Sequence, residues 1–187
     1  MTLEEMRSKV LVLIEEAKPG ATYDTEDPDI AAKFNDVANQ VLFRLARAKK
    51  IPHYVEVPVT AGQLLKFADI EKACGYEIYQ LGLVGGVPYT PKADGTVLKI
   101  LENGTAEIDC YVYPERITAK TVAKAYEFEI SPDVLEIMPY GIAADLLRSD
   151  ISTEYGSIYA SHFENLLNQL DTRYQLSSIF IEGGIDI

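Results

Sequence analysis

The sequence predicts an α+β protein: a helical bundle made from the two ends of the chain, an inserted β-rich subdomain, and an extended C-terminal tail. Three observations carry this expectation. Apolar residues recur at three and four across residues 1–52 and again across 127–172, as an amphipathic helix requires. Over 53–126 the spacing shortens toward two, the period of strands. The last stretch, 173–187, closes on SSIFIEGGIDI, which is apolar and β-prone. Helical stripes at both ends of a chain bury themselves only against each other or against a partner, so the middle reads as an insertion.

In the first helix Leu3, Met6, Val10, Leu13, Ile14 and Ala17 share one stripe, and Lys18-Pro19-Gly20 ends it. Asp27-Pro28 is a cap residue followed by proline at the first helical position, and it opens the second helix. Ile30, Ala31, Phe34, Val37, Ala38, Val41, Leu42 and Leu45 carry that helix to about Lys50, where Pro52 stops it. HYVEVPV and YEIYQLGLV read as strands. TVLKILENGTAEIDCYVY reads as a hairpin turning at Asn103-Gly104, and Asp94-Gly95 marks one more turn. In that hairpin Val97, Lys99 and Leu101 share a face with Ala106, Ile108 and Cys110, and Leu98 and Ile100 with Glu107 and Asp109. Both faces are partly apolar, so the sheet is expected to be covered on both sides. Ser131-Pro132 opens PDVLEIMPYGIAADLLRSD, in which Pro139 breaks the helix by lacking a donor and crowding the carbonyl of Leu135. In STEYGSIYASHFENLLNQLDTR the residues Tyr155, Ile158, Tyr159, His162, Phe163, Leu166, Leu167 and Leu170 form the cleanest stripe of all, with Leu166 expected in the core.

Hydrophobic residues make up 48% and charged residues 25%, the balance of a folded globular protein. The net charge of −12 repels phosphate backbones and anionic membranes, which argues against autonomous nucleic-acid binding. The N-terminal apolar patch is short and flanked by Glu4, Glu5, Glu15 and Glu16, so neither a signal peptide nor a membrane span is expected. Cys74 and Cys110 lack CxxC spacing and read as buried small hydrophobes.

Chemistry is sparse. Gly82, Gly85 and Gly86 lack the spacing of a phosphate loop and read as a flexible loop leading to Pro88. His162 has Ile158, Tyr159 and Leu166 as helical neighbours, so it reads as the edge of a packed stripe, and His53 has no motif around it. Asp24, Glu26, Asp27 and Asp29 surround a helix start, where the dipole favours negative charge; a divalent-ion site is the alternative. No cofactor, metal site or catalytic residue is assigned. Arg44, Arg47, Lys49 and Lys50 form the one basic cluster, explained by a helix C-terminus or by docking of an acidic partner or passing nucleic acid. Twelve tyrosines and no tryptophan, with Tyr140, Tyr155, Tyr159 and Tyr174 in the last third, suit a core or an interface.

In the tail Ile179 and Ile181 alternate with Phe180 and Glu182, and Gly183-Gly184 separates them from a short tip. Such a segment adds well to a sheet edge on another chain and is an aggregation hazard when bare. YEFEISPDVLEIMPYGIAADLLRSDISTEYGSIYASHFENLLNQLDTRY followed by SSIFIEGG resembles the C-terminal half of head–tail adaptor (head completion, or neck) proteins of tailed bacteriophages. The likeness runs from Tyr126 to Gly184 and rests on the small residues Gly141, Ala143 and Ala144 before a tyrosine-spaced helix, with a weaker likeness in DPDIAAKFNDVANQVLFRLA.

This resemblance implies a non-enzymatic virion protein that docks on the portal as a ring, often of twelve copies, and extends the DNA channel toward a downstream neck or tail component. DNA would be met only in passage, no membrane is involved, and assembly takes place in the host cytoplasm. The resemblance also implies that Ser178, Ile179, Phe180, Ile181, Glu182, Gly183 and Gly184 insert into the portal or a neighbouring subunit. The alternatives are a tail terminator or other neck protein, and a small cytoplasmic enzyme using carboxylates such as Glu107 and Asp109.

Overall fold

The computed structural model describes residues 1–16, 25, 27–92, 95–148 and 154–175, with side chains as far as Leu170 in the last stretch. Among these residues the chain is α+β, with helices and two three-stranded antiparallel sheets. It divides into two compact units, Met1–Val41 with Ile117–Ile187, and Leu42–Arg116. The division falls inside the second helix.

In the first unit α1 (Leu3–Leu13) begins with a capping box: Thr2 N donates to Glu5 Oε2 at 2.9 Å and Glu5 N to Thr2 Oγ1 at 3.2 Å. It ends at Leu13, earlier than the Lys18-Pro19-Gly20 signal suggests, because Ile14 caps it and Glu15 turns to a φ of 61°. Ala17 and the proline signal lie outside the described residues. Leu3 N donates to Tyr126 O at 3.0 Å and Phe128 N to Met1 O at 3.4 Å, so the chain start pairs with the segment that opens the C-terminal half. Helix α2 (Pro28–Lys49) is capped by Asp27, whose Oδ1 accepts from Asp29 N at 2.8 Å and Ile30 N at 3.2 Å. Asn39 holds the loop at Ile117 with both halves of its amide, at 2.8 and 2.9 Å.

The proline break appears where the ring predicts it. α4 (Pro132–Leu135) stops, and α5 (Met138–Leu147) restarts with Pro139 in its first turn, where no N–H is needed. α5 packs on α1 and on α6 (Tyr155–Gln175). The small residue Gly141 sets the distance: a Cβ there would lie 2.8 Å from both Phe163 and Val41. Of the α6 stripe, Phe163, Leu167 and Leu170 are buried, whereas Tyr155 and Ile158 are 63% and 56% exposed and Leu166 is half-buried. The stripe is wider than the surface that covers it, which corrects the placing of Leu166 in the core.

In the second unit the sheets run β1-β6-β3 and β2-β5-β4, with α3 (Phe67–Cys74) between β2 and β3 in the chain. The strands are β1 (Pro52–Val59), β2 (Leu64–Lys66), β3 (Ile78–Gly85), β4 (Tyr89–Lys92), β5 (Val97–Ile100) and β6 (Gly104–Val112). β5 and β6 are not a hairpin: β5 pairs with β2 and β4, β6 with β1 and β3. Neither Asn103 nor Gly104 takes the positive φ that a two-residue hairpin turn requires, and Asn103 Oδ1 instead accepts from Ala61 N at 2.8 Å.

The physical reason lies in the alternation. Leu98 and Ile100 are buried on β5, and Ala106, Ile108, Cys110 and Val112 on β6, with Thr105, Glu107 and Asp109 exposed. In a hairpin those two apolar sets would face opposite ways; in separate sheets both reach one core, which Val55, Val57, Val59, Leu65, Ile70 and Ile78 complete. Each sheet gives one face to this core, and of the other faces the described cover is the end of α2 over Tyr79 and Tyr111, less than the two-sided cover expected. β4 and β5 do pair as neighbours in the chain, with Gly95 at a φ of 83° before β5; Asp94 lies outside the described residues. Pro58 and Pro91 sit on edge strands, where a missing donor is tolerated. Gly82, Gly85 and Gly86 belong to β3 and its end, not to a flexible loop. A Cβ at Gly82 would lie 3.1 Å from Asp109 O, and one at Gly86 2.3 Å from Thr105 O.

Candidate functional site

The basic cluster becomes a larger structure in the second unit. Phe43 and Arg47 recur along the last two turns of α2, the end that favours cations, Arg44 and Lys49 lie on the same turns, and Lys50 follows the helix at a φ of 53°. Against them come rings from the sheet. Tyr113 is buried at the centre, its centroid 4.6 Å from Phe43 and 4.9 Å from Tyr79, and Tyr79 is 6.3 Å from Tyr111. Three cations lie over this chain of rings. The Arg47 guanidinium is 5.3 Å from Tyr113 and donates through Nε to its hydroxyl. Arg116 is 4.7 Å from Phe43, and Lys50 Nζ is 5.8 Å from Tyr111. Arg116 also pairs with Glu77 at 3.2 Å.

Tyr79 fixes the patch to the helix by donating to Ala46 O at 3.0 Å. Burial, and then the neighbouring Tyr111 and Tyr113, push its hydroxyl up to about 12, while Arg47 pulls the other way; it stays neutral and donating at physiological pH. The rings are packed and the cations are held over them at the surface. The result is a cationic face with its side chains already held in place, an arrangement chemically suited to carboxylates or phosphates.

The first unit carries an open groove of about 800 Å³ along α1, the start of α5 and α6. Val12, Leu13, Ile137 and Leu166 give it an apolar floor, Asp133 and Glu136 an acidic rim, and Lys9 stands at another edge. His162 lines it with its ring edge-on to Tyr140 at 4.5 Å. Beside the groove Tyr159 donates to Leu13 O at 2.7 Å and satisfies a terminal carbonyl of α1.

The remaining candidates separate. Ser178, Ile179, Phe180, Ile181, Glu182, Gly183 and Gly184 lie outside the described residues, as do Asp24 and Glu26. Among the described residues no three His, Cys, Asp or Glu side chains group to hold a metal ion. Glu107 and Asp109 point away from the core on β6, where they stand opposite Glu56 and Tyr54. Tyr54 donates to Glu56 at 3.0 Å, and that bond, with the surrounding carboxylates, raises its hydroxyl to about 12. Cys110 is buried as read from the sequence, but Cys74 is half-buried and lies next to it. Among the described residues no helix is long and apolar enough to cross a membrane. Sequence reasoning found the cations of α2 but not their rings or Arg116, since the contributing residues lie up to 73 positions apart and share no motif.

Comparison with protein families finds no match to this chain, and comparison with curated proteins finds none either.

Proposed function

We propose that the chain is a head–tail adaptor of a tailed bacteriophage: a structural virion protein that docks on the portal as a ring and extends the DNA channel toward the tail. In this reading residues 1–52 and 127–172 form the helical bundle, 53–126 the inserted β subdomain, and 173–187 an extended tail that inserts into the portal or a neighbouring copy. The observation that carries it is the likeness of residues Tyr126 to Gly184 to adaptor C-terminal halves. Gly141 gives one of those small residues a physical role, because it lets α5 and α6 approach at Phe163. The net charge of −12 also suits a conduit wall, past which DNA should slide without being held.

The test is negative-stain imaging of this protein with its cognate portal, with and without Ser177–Ile187. A ring added to the portal by the full chain and lost on truncation supports the reading. Absence of any added ring overturns portal docking and moves the protein further down the neck. Phe180→Asp should likewise weaken portal binding with no fall in melting temperature; a large fall would show that the tail packs on its own chain.

A further inference from the structure

The two units differ in charge more sharply than the total suggests. Leu42–Arg116 holds nine Lys and Arg against nine Asp and Glu, so the whole net charge of −12 lies in Met1–Val41 with Ile117–Ile187. The neutral unit nevertheless concentrates its cations at the end of α2, where Arg47, Lys50 and Arg116 are held over Tyr113, Tyr111 and Phe43. The acidic unit has the reverse arrangement, the groove with Asp133 and Glu136 on its rim. Apolar surface is open there: Val12 of the groove is 59% exposed, and Ile158, outside the groove and nearer the start of α6, is 56% exposed.

We propose that the cationic ring face of one copy docks on the acid-rimmed groove of a second copy of this chain. Arg47, Lys50 and Arg116 meet Asp133 and Glu136, and the half-buried Phe43 and Tyr79 meet the apolar floor around Val12 and Leu166. A nucleic acid is the poorer occupant of the cationic face, because the rest of the chain would repel its phosphates. An acidic surface with an apolar floor matches both features of the face, and this chain supplies one.

The two surfaces are different, so the contact is heterologous. It rests on the adaptor reading only for closure of such contacts into a ring; the contact itself rests on charge and exposure. Electrostatic pairing of this kind fixes orientation and partner more than it adds affinity.

The experiment is sedimentation equilibrium of the full chain, without portal, across a concentration series. At about 10 mM salt, where the Debye length is about 30 Å, the average mass should rise with concentration; at about 1 M, where it is about 3 Å, the rise should disappear. Arg47→Glu with Lys50→Glu should abolish the rise, as should Asp133→Lys with Glu136→Lys. Mixing the two variants should restore it, because the reversed face of one then fits the reversed groove of the other. Arg116→Glu with Lys50→Glu replaces the first variant if loss of the Arg47–Tyr113 bond unfolds it.

A chain that stays monomeric at low salt overturns the proposal. So does association that ignores salt and charge reversal, which would assign it to the apolar tail, or a mixture of variants that stays monomeric. Portal binding by a chain whose self-association fails these tests would overturn this contact alone. Self-association that passes them, in a chain that ignores the portal, would overturn the adaptor reading alone.

Discussion

The helical unit and the β-rich unit solve the same problem by opposite means. In Leu42–Arg116 the polar and apolar residues alternate, each sheet gives one face to a shared core, and opposite charges balance. In the other unit the helices carry more apolar surface than they can cover, and the net charge of −12 falls on the same residues. The apolar residues left exposed differ in setting: Val12, Tyr155 and Ile158 extend helical stripes, the last of which also holds half-buried Leu166, whereas Tyr54, Leu64, Leu83, Tyr89 and Leu101 lie in or next to strands of the β-rich unit. A closed core does not by itself mark a finished surface.

The largest effect should come from dividing α6 into its two faces. Phe163, 3% exposed and in contact range of Gly141, should cost about 3–5 kcal/mol as Phe163→Ala. Leu166→Ala, three residues on, should cost less than about 1 kcal/mol, because a half-exposed side chain leaves no sealed cavity. Denaturant unfolding of both variants tests this, and equal losses would erase the distinction between covered and open faces. Gly141→Ala comes next, at about 1–3 kcal/mol, since the added methyl overlaps Phe163 and Val41 in a packed interface. A neutral result would mean that the helices move apart freely.

What was legible in the sequence follows the same line. Capping at Asp27, the break at Pro139 and the strand at HYVEVPV are local, depending on residues a few positions apart, and all three were readable. The Asn103-Gly104 signal misleads because burial outweighs turn chemistry here: paired as a hairpin, Leu98/Ile100 and Ile108/Cys110 would face opposite ways. Helix α3 was missed because its eight residues hold one buried apolar side chain, Ile70, too few for a period to show. The cationic face was half legible: its helix cations were contiguous, while Tyr79, Tyr113 and Arg116 arrive from elsewhere in the chain.

Alkaline pH should separate the units at smaller amplitude. Burial, with Cys74 and Asp109 beside it, raises the Cys110 thiol from 9.0 to about 11, and Tyr79 is raised from 10.0 to about 12. Both groups keep a proton in the folded unit that the unfolded chain gives up. Their contribution is therefore fully present below about pH 9 and is lost as pH rises through about 11 for the thiol and about 12 for the hydroxyl. Hydrogen exchange followed peptide by peptide from pH 8 to 11 should show peptides of Leu42–Arg116 losing protection progressively toward the upper end. Cys110→Ala should flatten the thiol's share of that slope, and an unchanged slope would assign the loss elsewhere.

The smallest effect, below about 1 kcal/mol, should come from salt, and its sign differs between the units. Repulsion among the excess carboxylates opposes folding of the acidic unit, so screening should strengthen it. The balanced unit, with Arg116 and Glu77 paired at 3.2 Å on its surface, should gain nothing and lose slightly. Exchange protection measured in dilute protein at low and high salt isolates this intramolecular term, because dilution removes any contact between copies. At high protein concentration the order should reverse: low salt would then favour docking on the acidic groove and protect the α1 and α6 peptides that line it. A salt response of one sign at every concentration would mean that the acidic unit's charge acts only within its own chain.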